Sequence, residues 1–341
     1  MSYLNSTGVS ISVAAWLAHD DYDYVTDPNY ISVTTLIKPV KQIILANRLP
    51  EPEDMPKSDV ISRYASCRGS AIHNSIEHVW KNHHDSTLKS IGIKKKIRDK
   101  IRVNPTEEML KEAEDNGTSI IPVYMEQRHQ KTAHGFTIGG KYDFVLEGYV
   151  EDFKTTSTYT YTKETNNEKQ RLQGSLYRWL APHIITQDVM KIQYLFTDWK
   201  AMDAQRDPNY PPQPIVEKRH QLYSMNDTTR YIDDKLIAIK QLADSPEEDM
   251  PPCTDEDLWR DADVYKYFKD PSKVENGVPK KGSRSTKNFT NELDAMGFRQ
   301  EKGGVGTIVT VKGKVKACKY CNVAIICRQK DAYLADGSLE L

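Results

Sequence analysis

One stretch constrains this chain more than any other: Gly139-Gly140-Lys141-Tyr142-Asp143-Phe144-Val145-Leu146-Glu147-Gly148-Tyr149-Val150-Glu151-Asp152-Phe153-Lys154-Thr155-Thr156. It reads as two strands joined at Glu147-Gly148, because glycine supplies the positive φ that a tight hairpin needs. With that turn, Leu146 faces Tyr149, Val145 faces Val150, Phe144 faces Glu151, and Asp143 falls opposite Asp152. Period-two alternation puts Asp152 and Lys154 on one face of their strand, with Glu151 and Phe153 on the other. Two carboxylates held directly across a ladder, with Cβ atoms about 5 Å apart, repel each other. A cation between them removes that penalty. Hard oxygen ligands beside a lysine suit Mg²⁺ or Mn²⁺ rather than zinc. The plain alternative is a surface hairpin whose acids point into water.

The flanking sequence places this hairpin among helices. Ser62 to Trp80 reads as a helix with an apolar stripe of Ala65, Ile72, Ile76 and Val79, and it sets His73 and Glu77 at i, i+4. A lone helical histidine is usually a packing residue. Gly69 singles this one out, because the missing side chain would allow a close approach to the hairpin. His73 is therefore the candidate metal ligand and Glu77 its candidate supporting partner. His83 and His84 read as loop residues. Lys94 to Glu114 reads as one helix stopped by Asn116-Gly117, and Ile120 to Glu126 as a strand edged at Pro122. After the hairpin, Leu172, Leu176 and Leu180 repeat along a helix over Glu168–Leu180, with Gln173 and Tyr177 on an adjacent stripe. Lys191 to Trp199 alternates as a further strand, and Tyr223 to Leu242 reads as a helix. This order predicts an α/β fold with a mixed central β-sheet flanked by helices.

With 341 residues the chain has room for a large domain and a smaller module, and the expected boundary follows Pro251-Pro252. Residues 1–250 would form the first and 251–341 a cysteine-rich second. The run Ile11 to Ala18 is too short to span a bilayer and has no basic leader, so the cytoplasm is the expected compartment and no membrane is involved. Pro50 to Pro56 reads as an exposed, proline-broken loop, and Asp203 to Pro214 as a polar one. A formal charge of -1 gives no global attraction for nucleic acid. Any such binding falls to local basic runs at 94–102, 280–284 and 312–316.

Taken together, these pieces resemble the PD-(D/E)XK nuclease superfamily. Asp143 followed by Asp152-Phe153-Lys154 matches its D…(D/E)xK signature. Three further pieces resemble its RecB-type exonuclease branch and stand in that branch's order: Gly69 to His73 (G-x3-H), Glu126 in the preceding apolar stretch, and Gln173 to Tyr177 (Q-x3-Y). The resemblance implies a restriction-endonuclease-like core and a DNA exonuclease acting in recombination, repair or replication, in a phage setting and hence in host cytoplasm. It implies Asp143, Asp152 and Lys154 as catalytic residues, and His73, Asp143, Asp152 and the Phe153 carbonyl as Mg²⁺ ligands. Glu77, Glu126, Gln173 and Tyr177 would support the site or hold DNA. A single-strand-binding or annealing protein is the implied partner. A structure-specific or restriction-like endonuclease and a non-catalytic DNA-binding module on the same fold remain the rivals. Oligomeric state is not readable.

Of five cysteines, Cys318, Cys321 and Cys327 form C-x2-C-x5-C, a spacing that marks metal ligands in a cytosolic protein. A fourth ligand is needed. Cys253, after Pro251-Pro252, is the candidate and Cys67 its rival. Some iron–sulfur nucleases place the first cysteine upstream of the core, whereas the phage exonucleases that this tail resembles have a C…W setting matched by Cys253 and Trp259. A [4Fe–4S] cluster, Zn²⁺ or unliganded core cysteines stay open, with a structural clasp as the expected role.

Overall fold

A computed structural model describes the chain except residues 1, 2, 21, 52–54 and 341. The expected loop at Pro50–Pro56 therefore lies partly outside the described residues. The chain divides into two compact units, Met1–Lys38 with Pro50–Ala238, and Pro39–Leu49 with Ile239–Leu341. Among the described residues, no helix is long and apolar enough to cross a membrane.

The first unit is built on a mixed six-stranded sheet flanked by helices. A three-stranded sheet accompanies it. The strands are β1 (Tyr30–Ser32), β2 (Ile101–Val103), β3 (Ile121–Met125), β4 (Arg128–Ala133), β5 (Phe136–Lys141), β6 (Phe144–Leu146), β7 (Tyr149–Thr156), β8 (Val189–Phe196) and β9 (Ile215–Gln221). The large sheet runs β2-β3-β6-β7-β8-β9, and the small one β1-β5-β4. β2 with β3 and β7 with β8 are parallel, and the other neighbours in the large sheet are antiparallel.

The register of β6 on β7 is the one read from the Glu-Gly turn: Leu146 pairs with Tyr149, Val145 with Val150 and Phe144 with Glu151. Glu147 and Gly148 both have positive φ, 51° and 79°, as a type I′ hairpin requires. Along β8, Met190, Ile192 and Tyr194 are buried in alternation, and Val150 and Asp152 occupy the corresponding inward positions of β7. A helix over Asn167–Leu180 covers this face. Its Gly174 allows the approach, since a Cβ there would lie 2.5 Å from Met190 Sδ. The opposite face holds a cluster of Ile101, Val123, Met125 and Phe144, against which Phe153, Trp80 and Leu88 pack. Trp80 and Leu88 belong to a long helix over Tyr64–Ser90.

Four local expectations need correcting. The Tyr64 helix runs on to Ser90, so His83 and His84 are helical; the Trp80, His84, Leu88 stripe at four-residue spacing explains why. The segment expected as one helix from Lys94 to Glu114 is a turn of helix at Lys95–Arg98, then β2, then a helix over Glu107–Asp115. Ile101 pairs with Ile121 in the core, and Asn104 (φ 48°) followed by Pro105 cannot continue a helix. The polar loop after Trp199 opens with a short helix, Ala201–Arg206. Finally, a Cβ on Gly69 would meet nothing within 4 Å, so Gly69 is not where backbones come close.

The second unit contains a three-stranded antiparallel sheet (Val264–Phe268 between Lys287–Phe289 and Thr307–Val311) and a segment carrying Cys318, Cys321 and Cys327. Pro39 starts a helix, Val40–Ala46, as the sequence indicates.

Candidate active site

The chain leaves the large sheet after Met125, makes the β4–β5 hairpin in the small sheet, and returns at Phe144. Both crossing points carry an acid. At the first, Glu126 has φ 51°, and its N–H donates to the Asp143 carbonyl at 3.3 Å across the second. A change of sheet thus brings two acids together that lie seventeen positions apart. His73, from the Tyr64–Ser90 helix, completes the group: His73, Glu126 and Asp143 each offer one ligand atom within 4.8 Å of the others.

Asp143 sits one residue beyond the paired part of β6, where the backbone bends. Its Oδ2 accepts the Phe153 N–H at 2.9 Å and lies 3.5 Å from His73 Nδ1. The other nitrogen of that ring, Nε2, lies 2.8 Å from the Phe153 carbonyl oxygen. Phe153 therefore ties the pair from both ends of its peptide unit, while its ring meets the imidazole edge-on at 5.7 Å. Burial alone would depress the His73 pKa, but the hydrogen bond and charge of Asp143 and the Phe153 carbonyl outweigh it and hold the imidazole at about 9.

Asp152 lies outside that trio, at an inward position of β7, and is 2% exposed. Burial pushes its carboxyl upward, with Asp143 adding to the shift and Lys154 opposing it. Lys154 Nζ stands 2.5 Å from Asp152 Oδ2, an ion pair that compensates the buried carboxylate. Asp152 Oδ1 accepts from Gln173 Nε2 at 3.1 Å, and the same amide donates to Tyr177 Oη at 3.0 Å. Gln173 thereby fixes the carboxylate's rotation. The Tyr177 ring packs where Gly140 makes room, since a Cβ at Gly140 would lie 2.8 Å from Tyr177 Cε1. The close approach attributed to Gly69 belongs to Gly140 and Gly174.

Most of the residues singled out in the sequence thus share one corner of the first unit. Glu77 is the looser member: it pairs with Lys81 on its own helix, not with His73. Lys141 went unremarked as a site residue, and its Nζ lies 2.6 Å from Glu126 Oε2. Burial raises the Glu126 carboxyl while Lys141 pulls it back. The signal for Lys141 was its position two residues before Asp143, in the stretch before Glu147-Gly148 read as one strand; the structure breaks that stretch, with residues 139–141 ending β5 in the small sheet and Phe144–Leu146 forming β6.

The basic runs divide. Lys95 pairs with Asp99 and the buried Arg98 with Asp85, while Lys312, Lys314 and Lys316 each face an acid: Asp263, Glu340 and Asp261. The 312–316 run is therefore largely neutralised from within its own unit.

The cysteines fall in both units. Cys67 is buried in a cluster with Ala14, Leu17 and Val60 in the first, and its thiol points at the Leu17 carbonyl oxygen at 3.5 Å. Cys253, Cys318, Cys321 and Cys327 are half-buried in the second. Gln329 binds both ends of Cys253, accepting its N–H at 2.9 Å and donating to its carbonyl at 3.0 Å, two residues after Cys327. Glu247 accepts the Arg328 N–H at the start of the Arg328–Ala335 helix and lies 3.6 Å from Cys327 Sγ. Burial pushes the Cys253 thiol up to about 12, with Asp257, Cys327 and Cys321 adding to the effect.

The sequence matches no protein-family model and no curated protein. Among solved structures it is similar to SSO0001, at 15% identity and a TM-score of 0.40 over 70% of this chain and 90% of that one. It is also similar to a phage-related exonuclease from Haemophilus somnus 129PT, at 12% and 0.28 over 63% and 93%. A third is the alkaline exonuclease LHK-Exo from Laribacter hongkongensis, at 9% and 0.31 over 67% and 93%. Overlaps this loose leave the chemistry to be read from the side chains.

Proposed function

We propose that this protein is a metal-dependent DNA exonuclease of the PD-(D/E)XK type, hydrolysing phosphodiester bonds at the corner where β6 and β7 meet the Tyr64 helix. The observation that carries this reading is the gathering of His73, Glu126 and Asp143 within ligand distance of one another, beside the buried Asp152–Lys154 ion pair. Carboxylates gathered this closely repel one another, as the upward push of Asp143 on Asp152 shows, and a bound cation relieves that cost. Carboxylates, one imidazole and a backbone carbonyl make a predominantly hard donor set, which fits Mg²⁺ or Mn²⁺. His73, Glu126, Asp143, Asp152 and the Phe153 carbonyl would hold one or two such ions. The bound ion would polarise the scissile phosphate and lower the pKa of a water ligand.

The chain's own groups do the rest. Lys154, held beside Asp152, orients the attacking water and steadies charge developing on the phosphoryl oxygens. Gln173 keeps Asp152 from rotating, and Tyr177 anchors Gln173 in turn. Phe153 locks His73 and Asp143 into one geometry before any metal arrives. Glu77 acts at longer range, on the Glu126 carboxyl.

In the second unit, Cys253, Cys318, Cys321 and Cys327 would hold a [4Fe–4S] cluster, with Zn²⁺ as the alternative. The support is the C-x2-C-x5-C spacing and the Gln329 side chain that holds the Cys253 backbone; among the described residues the thiols are not gathered to ligand distance of one another. Its role would be to clasp residue 253 to 318–327. Cytoplasmic DNA recombination, repair or replication, together with a single-strand-binding or annealing protein, is the corresponding setting. The test is digestion of end-labelled linear duplex beside covalently closed circular duplex, with and without Mg²⁺. Short products from the linear DNA, with the circle intact, are expected. Cutting of the circle at a comparable rate would replace the exonuclease with an endonuclease, and no Mg²⁺-dependent cleavage of either would defeat the reading.

A further inference from the structure

Arg128 and Lys141 are directly opposite each other in the β4–β5 register, so two cations emerge side by side on one face. Like charges in that arrangement repel and need a reason. Each is turned to a definite partner. Lys141 reaches Glu126 in the metal corner. Arg128 donates to Tyr30 Oη at 3.1 Å and to the Asp23 carbonyl at 2.6 Å, and the Asp23 carboxylate lies 3.4 Å away, which ties it to the segment before β1 and neutralises its charge. Gly139 makes this possible, since a Cβ there would lie 2.4 Å from the Tyr30 ring.

Over the two cations lies Tyr22. Its ring centroid is 6.0 Å from the Arg128 guanidinium and 5.8 Å from Lys141 Nζ. Tyr24 meets it edge-on at 4.8 Å. These two rings nonetheless remain 51% and 64% exposed. Two large aromatics left in solvent, above paired cations and beside a cluster of metal-ligating acids, are poorly explained as packing. They offer a feature by which proteins hold a strand without reading its sequence, an aromatic face for a base.

Resting on the nuclease reading above, we propose that Tyr22, supported by Tyr24, stacks on an unpaired base next to the scissile phosphate, with Lys141 and Arg128, each held by its own carboxylate, fixing the ring in place. The strand reaching the metal corner is then single-stranded, or locally opened, at the point of cutting. A duplex with no unpaired base gains nothing from the platform.

The test is fluorescence anisotropy in EDTA with a labelled single-stranded oligonucleotide, an abasic strand of the same length and a blunt duplex. Wild type is compared with Tyr22→Ala, Tyr22→Phe and Tyr24→Ala, each checked for wild-type circular dichroism. Tyr22→Ala should bind the base-bearing strand about tenfold more weakly, as loss of one stacked base implies. It should match wild type on the abasic strand and the duplex, and Tyr22→Phe should retain affinity. Tyr24→Ala should weaken the base-bearing strand in the same direction by less. Equal binding by wild type and Tyr22→Ala, or equal losses on both strands, would overturn the platform and leave the nuclease intact. Failure of wild type to bind any of the three DNAs would overturn the platform, and the nuclease reading would still stand or fall on the Mg²⁺-dependent digestion above.

Discussion

The acids of the first unit and the cysteines of the second are two candidate metal centres built on opposite principles. At the corner of β6 and β7 nearly every ligand already has a protein partner: Phe153 holds Asp143 and His73, Gln173 holds Asp152, and Lys141 holds Glu126. That candidate site is assembled by the fold itself. Around the cysteines the described core is small, with Leu258, Val315 and Leu339 fully buried and Cys253 and Cys318 packed against them. There the thiols themselves supply part of the packing, and a bound group would help hold the fold. A catalytic metal should therefore come and go with little effect on stability, and a clasp metal should not.

The largest expected effect is catalytic. Lys154→Ala and Asp152→Ala should each lower the cleavage rate by at least about 10²–10³-fold, the scale for removing a group that steadies transition-state charge. Each leaves one member of a buried ion pair uncompensated, so both should melt below wild type while keeping its circular dichroism at assay temperature. Cleavage at the wild-type rate by both variants would place the chemistry elsewhere. On the other side of the comparison, protein purified without oxygen should be brown and contain iron and acid-labile sulfide. Cys321→Ala and Cys253→Ala should lose both and unfold at lower temperature, whereas Cys67→Ala should keep its metal. Stoichiometric zinc in the wild type would change the metal and keep the clasp. Metal retained by Cys253→Ala would return Cys67 to the ligand set.

A smaller effect tests how the corner is held. Gln173→Ala should weaken Mn²⁺ affinity or activity by about 10–100-fold, the usual cost of losing a group that orients a ligand. No change on calorimetric titration would mean that Asp152 does not depend on Gln173.

The next effect is set by protons. A metal must displace the proton that Asp143 and Phe153 hold on His73, whose pKa lies at about 9. Mn²⁺ affinity should therefore rise with pH up to about 9, by roughly tenfold per unit for one proton released, and then level off. The linkage to metal-free stability has the opposite sign. A raised pKa contributes stability that is complete below the ordinary histidine value of 6.5 and is lost as pH rises through about 9. Affinity independent of pH between 6 and 9 would remove His73 from the ligand set. The smallest effect belongs to Glu151, on the other face of β7, where Lys191 and Gln193 already satisfy it. Glu151→Gln should change stability by about 1 kcal/mol or less and leave cleavage unaltered.

Much of this comparison was legible in the sequence, for reasons that particular residues show. Glu147-Gly148 admits one hairpin register, and that register orders every side chain from Phe144 to Lys154. Gln173 and Tyr177 declared themselves by helical spacing beside a clear leucine stripe. What stayed hidden lacked any periodic mark. Arg128 to Ala133 is a half-exposed strand without apolar alternation, so the detour through the small sheet, and with it the roles of Lys141 and Arg128, could not be read. Ile101 to Val103 is a core strand of three residues buried in a run of lysines and arginines. Glu126 was visible as an acid in the right region, but its place beside Asp143 depends on a sheet crossing that only the fold reveals. Tyr22 shares that reason, since nothing local links it to residues more than a hundred positions away.

The most direct test of a pre-assembled catalytic corner is anomalous diffraction from crystals of the whole chain soaked in Mn²⁺. The expected result is one or two strong peaks bounded by His73, Glu126, Asp143 and Asp152, with the surrounding side chains scarcely moved from their metal-free positions. Mn²⁺ bound elsewhere with this corner empty, or bound here only after the Phe153 and Gln173 hydrogen bonds have broken, would contradict it.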